Sequence, residues 1–65
     1  MIKIKYPKNQ TPLETICDEH SIPKFLITRD SSNEYILHSI DEKGNITKLK
    51  QANSPTKFED TIKKG

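Results

Sequence analysis

Cys17 and His20 are the first residues in this chain whose types and spacing could do chemistry. They stand three positions apart, one turn if the segment is helical. A thiolate and an imidazole on one face can act as nucleophile and base. The surrounding sequence offers no third group to orient the imidazole and no oxyanion donor. Cys17 also falls in line with Leu13 and Ile16. The pair therefore reads as a small buried hydrophobe beside a partly exposed histidine. Asp18 with Glu19, and Asp41 with Glu42, are adjacent pairs that read as solvated charge. The only glycines are Gly44 and Gly65, too few for a phosphate-cradling loop. One cysteine and two histidines fall short of the four ligands of structural zinc. The chain is expected to be no enzyme, with no cofactor and no metal.

A second cluster is positive. Lys48 and Lys50 alternate along one run, with His38 opposite Lys48 when that run is folded back on its neighbour. Ile36, Ile40 and Ile46 lie among them. These six residues, Ile36, His38, Ile40, Ile46, Lys48 and Lys50, form the candidate binding surface. A protein partner or self-association is the expected use. The alternative is a weak nucleic-acid-binding domain that uses the lysine-bearing sheet face, with Lys24 and Arg29 assisting. Arg29 is the single arginine among 11 basic residues, and it is arginine that supplies the bidentate fork for guanine and phosphate. Base-specific reading of DNA is therefore not expected; salt-sensitive contact through lysine is.

The elements that must position these groups begin with the run 34–51. Two β-rich stretches flank Asp41-Glu42-Lys43-Gly44-Asn45. Gly44 suits the left-handed position after a type I turn, which gives a three-residue hairpin loop. That turn pairs Ile40 with Ile46, Ser39 with Thr47, His38 with Lys48 and Leu37 with Leu49. A like turn at 31–33 pairs Arg29 with Tyr35, Ile27 with Leu37 and Phe25 with Ser39. One face then carries Phe25, Ile27, Tyr35, Leu37 and Leu49. The other carries Leu26, Ile36, Ile40 and Ile46 with Lys24, Thr28, His38, Lys48 and Lys50.

Upstream, residues 1–6 alternate apolar and lysine, the period of a half-buried strand. Thr11, Pro12 and Glu14 carry helix-start signals: a cap, a first-turn proline and a capping-box glutamate. Leu13, Ile16, Cys17 and His20 continue at helical spacing until Pro23. Downstream, Ser54 and Pro55 open a short helix anchored by Phe58 and Ile62. The expected fold is a small α+β single domain, 1–65, of order β-α-β-β-β-α. It comprises a three-stranded antiparallel meander (about 24–51) beside an N-terminal strand, one helix packed on the sheet, and a short C-terminal helix. Three strands followed by a helix is similar in topology to the arm-binding domains of phage integrases, a likeness carried by no sequence motif.

With 31% apolar residues the core must be thin. A domain of this size buries only about 60% of the surface of its unfolded chain. The chain opens without an apolar leader, has no run of 18 apolar residues and holds a lone cysteine. Those features lead to an expected cytoplasmic setting with no membrane partner. The abundance of Lys, Ile and Asn points to a bacterial or phage origin. The expected function is thus a non-catalytic protein-interaction or regulatory module, phage or mobile-element derived and self-associating.

Overall fold

The structure, a computed structural model, describes residues 3–64. Four strands form one antiparallel sheet in sequence order: β1 (Thr11–Cys17), β2 (Pro23–Arg29), β3 (Tyr35–Ile40) and β4 (Ile46–Ala52). A 3₁₀ turn, Pro55–Phe58, leads into a short helix, α1 (Glu59–Lys64). The protein is mostly β, so the expected β-α-β-β-β-α order is wrong in two places.

The first correction is the helix expected from Thr11 onward. That segment is β1, the edge strand beside β2. Its helical signals are local, and a helix of about ten residues is too short to hold itself in water. Thr11, Thr15 and Ile16 are β-branched and suit a strand. Pairing with β2 satisfies main-chain donors and acceptors that would otherwise stand bare along the sheet. Pro12 is tolerated because an edge strand leaves one side of its backbone unpaired. Leu13 next to it is the extra residue of a bulge. Leu13 and Cys17 are consequently exposed, and of the expected apolar stripe only Ile16 packs against the core.

The second correction concerns residues 1–6. Met1 and Ile2 lie outside the described residues, and 3–7 form no strand. This segment instead passes close to the β3–β4 turn, where the Lys5 amide donates to the Gly44 carbonyl (2.9 Å). Pro7 removes a donor and fixes φ, which discourages a strand here.

The β2–β3 register is Phe25 to Ser39, Ile27 to Leu37 and Arg29 to Tyr35, as the two-turn reading requires. The β3–β4 register begins as expected, with Ile40 to Ile46 and His38 to Lys48, then slips at a bulge so that Leu37 meets Lys50. Leu49 is the displaced residue and is exposed rather than part of the core.

All three hairpins are closed by the same loop. Asp18, Asp30 and Asp41 each open one. In each, the aspartate Oδ1 accepts two backbone amides at 2.8–3.0 Å, from the residues two and four positions on. The fourth residue takes positive φ: Ser21 at 63°, Asn33 at 65° and Gly44 at 85°. This is a type I turn followed by a left-handed residue, the geometry of a three-residue hairpin loop. Gly44 has a further reason to be glycine, because a Cβ there would run into the Lys3 carbonyl.

The two sheet faces are covered by different segments. On one, Ile27, Leu37 and Phe58 form the core, with Ile16, Phe25, Tyr35, Ala52 and Ile62 around it. Phe58 comes from the C-terminal 3₁₀ turn, so that segment takes the place expected of the upstream helix. Its entry is as read: Ser54 is extended and Pro55 follows, although the Ser54 hydroxyl pairs with Thr56 (2.9 Å) instead of capping a backbone amide. The fully buried Phe58 and Leu37 are each worth about 1.5–3 kcal/mol of apolar transfer. On the other face Leu26, Thr28, Ile36, His38 and Ile40 are buried, although no helix lies over them. The irregular segment 3–10 reaches this face through Gln10, which bonds Thr28 and lies beside His38.

Candidate functional site

The six candidate residues do not form one open surface. Ile36, His38 and Ile40 are buried, His38 beside Gln10 of the N-terminal segment; Ile46 is half-buried, and Lys48 and Lys50 are exposed. Lys48 pairs with His38 and stays on the His38 face. The bulge at Leu49 puts Lys50 opposite Leu37, on the Phe58 face. Arg29, paired with Tyr35, is on that face too, where its guanidinium donates to Asn33 Oδ1 (2.6 Å). Lys24 stands near the Asp18 carboxylate (4.0 Å). The four cations are thus divided between two faces.

Lys48 is also engaged. Its ammonium donates to Gln51 Oε1 (2.6 Å), and the Gln51 amide donates to Glu34 Oε2 (2.8 Å). The exposed side of β4 next to the His38 face is therefore a chain of alternating lysine, amide and carboxylate, not a basic strip.

His38 is 4% exposed and sits in a hydrogen-bonded knot. The Thr28 hydroxyl donates to Gln10 Oε1 (2.6 Å), which spends the only hydroxyl proton. His38 Nε2–H is then the donor to Thr28 Oγ1 (2.9 Å), with Gln10 Oε1 3.2 Å away. Burial lowers the imidazole pKa from its ordinary 6.5, and the Lys48 charge lowers it further. The ring is neutral at physiological pH. A proton donor and acceptor are present, but no nucleophile adjoins them. Gln10 carried no sequence signal, being one polar residue in a loop, and its role comes from how the segment lies on the sheet.

Cys17 and His20 are not brought into a working pair. Cys17 ends β1 and is exposed. His20 lies in the β1–β2 turn, where its ring is 3.5 Å from the Glu19 carboxylate. Among the described residues, no group of three His, Cys, Asp or Glu side chains is placed to hold a metal ion.

A groove of about 210 Å³ lies between the β1–β2 and β3–β4 hairpins, which share one end of the sheet. Ile22, Pro23 and Lys24 line one wall, and Ile40, Asp41 and Glu42 the other. Ile22 is 41% exposed, one of four exposed large hydrophobic side chains among the described residues, with Tyr6, Leu13 and Leu49. In the sequence Ile22-Pro23 read as a helix stop, so the groove was hidden behind the wrong element. Asp41 is held below the usual carboxylate range, chiefly by the Asn45 backbone amide, and Asp18 likewise by the Ile22 amide. Both carry charge at neutral pH.

Among the described residues no helix is long and apolar enough to cross a membrane. Comparison with protein-family models, with curated proteins and with solved structures returned no match.

Proposed function

We propose that this chain is a non-catalytic protein-binding module that works in a reducing compartment. Its contact is the Ile22–Ile40 groove, and its partner an extended segment carrying an apolar side chain next to a lysine or arginine. The observation that carries this reading is the exposed Ile22 across from Ile40, on a groove whose second wall ends in Asp41 and Glu42. An aliphatic side chain fills the apolar floor, and a neighbouring basic residue meets the carboxylates. The exposed, unpaired Cys17 suits a setting where thiols stay reduced.

The test is a titration followed by amide NMR, using short peptides that present Leu or Ile beside Lys. Shifts confined to residues 22–24 and 40–42, abolished by Ile22→Asp and weakened by Glu42→Lys, are the expected result. Shifts scattered over the sheet, or none at millimolar peptide, would rule the groove out. Duplex and single-stranded nucleic acid at low salt are the counter-probe: strong binding there would favour the lysine-based reading instead.

A further inference from the structure

We propose that residues 3–10 form a displaceable strap over the His38 face, latched by the Gln10–Thr28–His38 knot and released when His38 takes up a second proton. The proposal is independent of the groove.

The strap makes no strand and is held by different means at its two ends. At one end the Lys5 amide bonds the Gly44 carbonyl (2.9 Å). At the other Gln10 reaches Thr28 and His38. Between them only Pro7 is half-buried, while Tyr6 is exposed; Ile4, just before Lys5, is half-buried as well. A segment with so few buried apolar contacts belongs to the low-stability end of a fold and can open while the sheet stays closed. Opening uncovers Leu26, Ile36 and Ile40, an apolar strip the closed protein hides.

The latch has a direction. Neutral His38 uses Nε2–H to bond Thr28. A second proton, on Nδ1, leaves that bond intact but places a cation in the buried site. The charged group facing the ring is Lys48, from β4, which repels it. β2 and β3 contribute the uncharged Leu26, Thr28, Ile36 and Ile40 on this face, with Lys24 further along β2 beside Asp18; the strap contributes Gln10 and carries the exposed Lys3, Lys5 and Lys8. Along the hydrogen-bond chain from Lys48, carboxylates come only after Gln51, at Glu34 and Asp30. Lifting the strap gives the protonated ring more water than the closed form allows, so acid favours the open form.

Native-state amide exchange tests this. Between about pH 7.5 and 5.5 the protection factor of the Lys5 amide, corrected for intrinsic rates, should fall by up to about tenfold. Protection in β2 and β3, read at Ile27 and Leu37, should hold. His38→Gln should remove the pH dependence. Gln10→Ala should lower Lys5 protection already at neutral pH and leave Leu37 unchanged. Lys5 protection that ignores pH, that falls in step with Leu37, that keeps its pH dependence in His38→Gln, or that is untouched by Gln10→Ala would each overturn the strap.

Discussion

On one side of the sheet Phe58 is fully buried against Ile27 and Leu37, with Ile16, Phe25, Tyr35, Ala52 and Ile62 packed around them. On the other, Leu26, Ile36 and Ile40 surround a polar knot of Thr28, His38 and Gln10, beneath a segment with no regular structure. The first face is closed by shape and solvent exclusion. The second is closed by hydrogen bonds whose partners must all be present. An apolar core loses stability in proportion to the volume removed. A buried polar knot fails when one member is lost or charged, because the remainder is left buried and unpaired. The difference makes one side of this protein a foundation and the other a place where conditions in solution can act.

The sharpest way to break the comparison is Phe58→Ala. Truncating a fully buried phenylalanine costs about 3–5 kcal/mol, which is most of what a domain this small has. Urea denaturation should show it largely unfolded. On the opposite face Thr28→Val keeps the shape and removes the hydroxyl that joins Gln10 to His38. It should cost about 1–3 kcal/mol in the same assay. If Phe58→Ala cost no more than Thr28→Val, the contrast between the faces would be lost.

Gly44→Ala comes next. The left-handed backbone costs an alanine about 1–2 kcal/mol. The new methyl must also push the Lys3 backbone away, so Lys5 amide protection should drop with stability. Alanine at Asn33, which shares the φ but not the close approach, should lower stability without touching Lys5.

Acid should act in two stages. His38 has a folded pKa below its unfolded 6.5. Its contribution is therefore complete above pH 6.5 and is lost as pH falls through the folded value. Asp18 and Asp41 are lowered from 3.8, so what they contribute is complete above that pH and fades as pH falls through their folded values. A stability–pH curve from chemical denaturation should show an upper step that vanishes in His38→Gln and a lower step that remains. The smallest expected effect is Ser21→Gly. Relief of the left-handed serine outweighs the added chain entropy of glycine, for a gain of about 0.5–1 kcal/mol in thermal unfolding.

How much of this was legible differs from hairpin to hairpin. The Gly44 turn announced itself, because glycine in that position marks a left-handed residue. Asn33 marked the second turn more faintly, and the β2–β3 register followed once it was read as a three-residue loop. Ser21 hides the third. Serine is an ordinary helix-cap residue, and Thr11, Pro12 and Glu14 wrote a helix start ahead of it. Yet Asp18 opens the same loop as Asp30 and Asp41, and the spacing Asp-x-x-(Ser/Asn/Gly) was present three times. The candidate surface was legible only as a set of residues sharing strands. Whether those residues face solvent depended on segment 3–10, whose local pattern, lysine alternating with apolar residues up to Pro7, pointed to a strand and not to a segment laid over the sheet.

From the sequence alone came the β2–β3–β4 meander, its turn chemistry and its split into a more apolar and a more mixed face, because turn type and period-two alternation are local. The tertiary structure decided that 11–17 is a strand, since a neighbouring sheet edge outweighed the capping signals of a segment too short to stand as a helix. It also decided which terminus covers which face. That choice sends Phe58 under one side and Gln10 onto the other, and it depends on contacts between residues far apart in the chain, where no local pattern reaches.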